Sequence, residues 1–289
     1  MAEPELDPLS GRKTTGHEWD GIRELDHPVP DWWIKTFLIS ILCAIIGLWL
    51  YPGWSTPRQD TKGLLGWTAR EQLVRDTEKA LAAQAGWRAD MASKSLAEIE
   101  ADRELRRIAM HGGGLAFARN CAACHGAGGG GQLGAFPSLI DDDWLWGGRL
   151  EDIQQTITHG IRDSDLDTRV SQMPTFGDIL TDGEIDAAAR YVRALADKKP
   201  AAELSAMPGA AVFAANCAAC HGPMGQGGRD FGAPRLDDAI WLYGGSVEEI
   251  RAQVKGPRHG VMPAFGRRLD PETIKMISVY VHGLGGGER

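Results

Sequence analysis

The 289-residue sequence predicts a mainly α protein: a single transmembrane helix near the N-terminus, then two tandem copies of a small helical module. Three observations carry that expectation. Residues 32–52 form an almost unbroken apolar run, a repeat of about 85 residues fills the C-terminal half and more, and the repeat lacks the apolar–polar alternation of strands. The composition, 43% hydrophobic and 24% charged, excludes chain-wide disorder. A formal net charge of −8 and the lack of any long basic run argue against a nucleic-acid partner.

The tail, 1–31, is polar and acidic, with Pro4, Pro8, Pro28 and Pro30 interrupting it, and reads as extended chain. In the apolar run the one charge is Lys35, close to the start, where its stem reaches the interface. Trp32 and Trp33 at one end, and Trp49, Tyr51 and Trp54 at the other, fall at headgroup depth, where amphipathic rings are favoured. A cleaved signal would start nearer Met1 and end in small residues, whereas Tyr51-Pro52-Gly53-Trp54 follows here. Basic residues flank both ends: Arg12, Lys13, Arg23 and Lys35 before, Arg58, Lys62 and Arg70 after, so charge alone does not orient the helix. Residues 53–109 read as a helical linker, with Leu73, Thr77, Ala80, Leu81 and Gln84 recurring at helical spacing and Glu71 with Arg75 on a solvated face.

The modules occupy 110–199 and 205–289, with Lys198, Lys199 and Pro200 at the junction. Asn-Cys-Ala-Ala-Cys-His-Gly occurs at 120–126 and again at 216–222; Trp144-Leu145-Trp146 is matched by Trp241-Leu242-Tyr243, and Met173-Pro174 by Met262-Pro263. Each copy reads as a helix, the cysteine motif, a Gly-rich loop, a helix (150–158; 247–254), an irregular Met segment and a closing helix (182–196; 271–283).

Four of the five cysteines carry the chemistry. Cys121 with Cys124, and Cys217 with Cys220, each precede a His, and C-x-x-C-H is the attachment signature of c-type haem. Two thiols three apart share one face of a helical turn, and His125 or His221 follows aimed at the iron. A zinc site would need four converging ligands, and a dithiol redox pair a βαβ context. Met-Pro follows 48 residues after His125 and 41 after His221, so Met173 and Met262 are expected as sixth iron ligands. Two covalent c-type haems with both axial positions filled relay electrons and leave no open site, so no catalytic centre is expected in the chain. Ligation within each module is the default, though exchange of Met173 and Met262 between paired modules would read identically. The Gly-rich loops suit close backbone approach to a flat group. His159 and His259 read as helix-closing or propionate-binding residues, Trp144 and Trp241 as haem packing, Cys43 as apolar filler, and His17, His27, His111 and His282 as ordinary surface or core residues.

On these motifs, residues 110–285 resemble class I cytochrome c domains. The tail Thr15-Gly-His-Glu-Trp-Asp-Gly-Ile-Arg-Glu-Leu-Asp26, then Pro30-Asp-Trp-Trp33, a membrane helix and two such domains, resembles the dihaem CcoP or FixP subunits of cbb3-type cytochrome c oxidases. That resemblance implies a bacterial inner-membrane subunit with a cytoplasmic tail and periplasmic haems. It would pass electrons from a donor cytochrome c, with a monohaem subunit, towards a catalytic haem-copper subunit that reduces oxygen and pumps protons. A dihaem peroxidase would need an open haem, against both Met-Pro segments, and a periplasmic dehydrogenase subunit resembles a protein with three haem motifs behind a cleaved signal. Residues 110–199 hold 13 acidic and 8 basic residues against 8 and 9 in 205–289, so a basic donor is expected on the first module, near Asp141, Asp142 and Asp143.

Overall fold

The computed structural model describes residues 5–54, 57 and 62–288, and the chain falls into two compact units, 1–83 and 84–289. Arg58 of the flanking basic residues lies outside the described residues.

In the first unit the tail is not simply extended. Strand β1 (Thr14–Trp19) pairs antiparallel with β2 (Ile22–Leu25), Trp19 facing Ile22 across the turn. Asp20 and Gly21 occupy that turn with φ of 51° and 84°, the left-handed pair a tight hairpin needs and Asp-Gly supplies. Arg23 bonds Glu18 at 2.9 Å and Glu5 at 2.5 Å, tying the hairpin to the preceding segment. The next element, α1 (Asp31–Leu50), is the apolar helix: 20 residues with mean hydropathy 2.1 and no buried side chain. At 1.5 Å per residue it spans about 30 Å, the depth of a bilayer core. Thr36 and Ser40 donate their hydroxyls to the carbonyls of Trp32 and Phe37, so neither presents an unpaired donor to lipid.

Helix α2 (Ala69–Ser93) is followed by α3 (Leu96–Ala101), started by a Ser95–Glu98 capping box, and α4 (Arg103–Asn120), capped by Asp102. The second unit continues with α5 (Ala122–His125), α6 (Leu150–His159), α7 (Asp182–Ala196), α8 (Ala201–Ser205), α9 (Gly209–Asn216), α10 (Ala218–His221), α11 (Val247–Lys255) and α12 (Pro271–His282). The four helices expected after the cysteine motifs therefore form at their expected positions. Thr181, Ser246 and Asp270 cap α7, α11 and α12 with side-chain oxygens, which supply acceptors to otherwise unpaired first-turn N–H groups.

The copies are tandem in sequence but exchanged in space. The closing helix of the second copy, α12, packs on α4 and α6 of the first, while α7 of the first packs on α9 and α11 of the second. Phe117 lies 5.4 Å from Tyr280 and Phe213 lies 5.2 Å from Tyr191, ring centre to ring centre. Both phenylalanines are 1% exposed, and burying each stabilises the fold by about 1.5–3 kcal/mol. Glycine lets these helix pairs cross closely: a Cβ on Gly113 would sit 2.2 Å from the Met276 carbonyl oxygen, and one on Gly209 2.1 Å from that of Ala187. One core thus joins residues distant in sequence, Phe117, Cys121, Ile153, Ile157, Phe265, Ile274, Ile277 and Val281. The other draws on a contiguous stretch, from Phe176 through Ile185, Val192 and Phe213 to Val254. A third core, built from Met91, Leu96, Ile99, Leu105 and Met276, fastens the linker helices to α4 and α12. Lys275 completes that junction by donating to the carbonyls of Met91, Ala92 and Lys94 at the end of α2.

Candidate functional site

Each cysteine motif begins where the helix before it ends. Phe117 accepts the Cys121 N–H at 2.8 Å, and Phe213 accepts that of Cys217 at 2.8 Å, so the buried phenylalanine and the first cysteine are one turn apart on the inward face. Cys121 and Cys217 consequently face the two cores, whereas Cys124 and Cys220 are exposed at the rim. Burial pushes the thiols of Cys121 and Cys217 up to about 11, with Cys124 and Cys220 adding to the effect, so both are neutral at pH 7.

The two histidines share one geometry. His125 Nδ1 lies 3.0 Å from the Pro137 carbonyl oxygen, and His221 Nδ1 lies 2.9 Å from that of Pro234. A carbonyl only accepts, so Nδ1 carries the proton and Nε2 keeps its lone pair for a metal. Burial lowers the pKa of both imidazoles, which favours the neutral, ligating form. The loops that place those carbonyls are superimposable in their bonding. Gly131 donates to the His125 carbonyl and Gly227 to that of His221, while Leu139 donates to Gly129 and Leu236 to Gly225. Gly131 has φ +70°, and a Cβ there would lie 2.6 Å from the Phe136 carbonyl oxygen, so the tight loop requires glycine.

Met262 packs with the core containing Cys121, and Met173 with the core that includes Cys217. Packing therefore brings each Met segment to the cysteine motif of the other copy, because each Met segment travels with the closing helix that follows it. Backbone bonds fix the crossing: Ile161 and Met262 bond each other in both directions at 2.9 and 3.0 Å, and Phe265 and Gly266 donate to Ile157 and Thr158. The motif at Cys121 therefore packs on the same core as Met262, and the motif at Cys217 on the same core as Met173.

A test of fit for a haem lies beside the second site. Trp241 packs on the core containing Cys217, yet its Nε1–H is buried without an acceptor. An anionic carboxylate group of a porphyrin is the kind of partner such a donor requires. Trp144, its counterpart, instead donates to the Gly286 carbonyl at 2.5 Å. Both tryptophans line the cores, but with different partners.

The family described as "Cytochrome C oxidase, cbb3-type, subunit III" matches residues 103–192 and 205–281, and the one described as "N-terminal domain of cytochrome oxidase-cbb3, FixP" matches 11–57. The "Cbb3-type cytochrome c oxidase subunit FixP" of Azorhizobium caulinodans is 49% identical, covering 98% of this chain and 96% of its own. That of Rhizobium meliloti is 48% identical over 98% of both, and the corresponding subunit CcoP of Azospirillum sp. is 48% identical over the whole of both chains. The chain belongs to the FixP/CcoP family.

Two cytochrome c-type domains in a FixP/CcoP protein mean two covalently bound c-type haems, and α1 fits a single-pass member of a membrane oxidase family. His159 ends α6 and bonds Asp165 at 2.9 Å, and His259 is exposed on a loop. His159, Asp165 and Asp167 bring their ligand atoms within 4.8 Å of one another, a grouping that sequence reading did not single out. Pro137 and Pro234 were also missed, although the shared Pro-x-Leu at 137–139 and 234–236 was a legible signal in repeat register.

Proposed function

We propose that this chain is the electron-input subunit of a cbb3-type oxidase, relaying single electrons between two six-coordinate haems towards the haem-copper subunit. The carrying observation is the paired geometry: a neutral imidazole with a free Nε2 in each cysteine motif, facing a Met delivered by the other copy. Cys121 and Cys124 hold one haem by thioether bonds, and Cys217 and Cys220 the other. His125 with Met262, and His221 with Met173, would bind the two irons. The haems contribute a one-electron couple whose potential the Met thioether raises. The protein excludes water through the two cores and fixes the imidazole through the Pro137 and Pro234 carbonyls, so little reorganises when charge changes.

The helix α1 anchors the chain in the inner membrane, with the hairpin cytoplasmic and both haem sites periplasmic. The family's naming as an oxidase subunit supports monohaem and catalytic haem-copper subunits as neighbours. A basic donor cytochrome c docks on the acidic first copy, where Asp142 is exposed beside half-buried Asp141 and Asp143.

Affinity purification of the tagged chain from native membranes checks this reading. It should yield a complex with c-type, b-type and copper signals that consumes oxygen with reduced cytochrome c, at a rate falling as salt rises. Recovery of the dihaem chain with neither copper nor oxygen turnover would overturn it.

A further inference from the structure

Arg162 sits immediately after the point where the two copies cross. Its backbone adopts φ +55°, a left-handed conformation that costs a side-chain-bearing residue energy and persists only where surroundings hold it. Gly160, Ile161 and Arg162 together grip the segment leading to Met262. A Cβ on Gly160 would lie 2.4 Å from the Met262 carbonyl oxygen, and Ile161 bonds Met262 through both backbone groups. Arg162 adds its side chain. Nε donates to the Gly260 carbonyl at 2.6 Å, two residues before Met262, and one terminal nitrogen donates to the Ser171 carbonyl at 3.0 Å, two residues before Met173. Both acceptors are main-chain carbonyls. The side chain is half-buried, which lowers its pKa, and its fork goes to two main-chain acceptors.

We propose that Arg162 is a shared positioning residue: one guanidinium ties the two Met-bearing segments together, so that the sixth ligands of both haems are held as a unit. This rests on the assignment of Met173 and Met262 as ligands. A planar fork with several fixed donors spans two carbonyls at once, which an ammonium on a flexible stem cannot do in the same geometry. Neither segment has helix or sheet of its own around the Met, so loss of the tie loosens both thioethers together.

The test uses the full-length dihaem chain in detergent, with haem content and far-UV circular dichroism measured first. Arg162→Gly removes the guanidinium and tolerates φ +55° without strain. Arg162→Lys keeps the charge and loses the fork. The readouts are the near-infrared thioether-to-iron band of the ferric protein and carbon monoxide binding to the ferrous protein. Wild type should show the band at both centres and bind little carbon monoxide. Both variants, with two haems and unchanged helix content, should lose band intensity at both centres and bind carbon monoxide at least tenfold more. Wild-type behaviour in both variants, a change confined to one centre, or full rescue by lysine would each overturn the tie, the last by showing that charge suffices. A wild-type protein lacking the band would overturn the ligand assignment itself, and this proposal with it.

Discussion

The two haem sites are built from the same motif yet are supported differently. The first, around Cys121, is buttressed from behind by the linker helices through Met91, Leu96 and Ile99. It is also strapped by the C-terminal residues: Trp144 donates to Gly286, Glu288 donates its N–H to the Gly148 carbonyl, and its carboxylate accepts from Gly148 N–H and from Arg229. The second site, around Cys217, is flanked by the short helix α8 and a Lys198–Asp237 contact at 3.2 Å, and leaves the Trp241 indole N–H open to a ligand. Met262 is held by backbone bonds to Ile161 as well as by Arg162 on the Gly260 carbonyl, whereas the Met173 segment is reached by Arg162 through the Ser171 carbonyl. Repeating a sequence motif therefore does not repeat its environment. Two copies of one cysteine motif acquire different hydrogen bonding and exposure, the levers that separate reduction potentials in a relay.

The largest effect tests the exchange on which that comparison depends. In a chain carrying Cys217→Ala and Cys220→Ala, one haem remains, at Cys121 and Cys124. Adding Met262→Ala should lower its midpoint potential on the order of 0.1–0.3 V, within the roughly 0.8 V that axial ligands span. Adding Met173→Ala to the same background should leave the potential nearly unchanged. Potentiometric titration with the opposite pattern would mean that each copy closes on its own Met.

A smaller effect sharpens the likeness of the two helix crossings. Gly113→Ala and Gly209→Ala should each destabilise by about 1–3 kcal/mol, because backbone carbonyls stand in the way of the new methyl group. Gly112→Ala is the control. Its Cβ would meet the Met276 sulfur at 2.7 Å, the flexible end of a side chain that gives way, so its cost should be clearly lower. Urea melts followed by circular dichroism distinguish these outcomes, and Gly113→Ala as stable as Gly112→Ala would show that α4 and α12 do not cross closely.

Much of this was legible before any coordinates, and the reasons are specific. Helical periodicity marks α6, α7, α11 and α12, and Thr181, Ser246 and Asp270 cap the last three locally. Cys, His and Met stand out by chemistry and by repeat register. The partner of each Met was not legible, because a repeat leaves the two pairings degenerate in sequence. Only long-range packing, Phe117 on Tyr280 and Phe213 on Tyr191, separates them. The hairpin escaped notice for the opposite reason: its Asp20-Gly21 turn was a readable signal, masked by the prolines and charges around it. Pro137 and Pro234 act through carbonyls, which every residue has, so residue identity alone does not mark them.

The smallest effect concerns the seam where the first copy's acidic segment meets the second copy. Burial pushes the Asp143 carboxyl up to about 6, and the carboxylates of Asp238, Asp141 and Asp142 push the same way while Arg235 opposes them. Unfolded, the group titrates near its ordinary value of about 3.9. Between these two values the folded chain binds more protons than the unfolded one, so Asp143 makes stability fall as pH rises through that window. Asp143→Asn removes the slope. Its stability relative to wild type should grow from pH 4 to pH 6 and then stay level, as read from urea midpoints at matched ionic strength. A difference that does not vary with pH would place Asp143 in water, and the seam would then carry no proton-sensitive charge. If the difference grows as expected, the same titration weakens the acidic patch below pH 6. Salt-dependent reduction by a basic donor should then lose part of its salt dependence over the same interval.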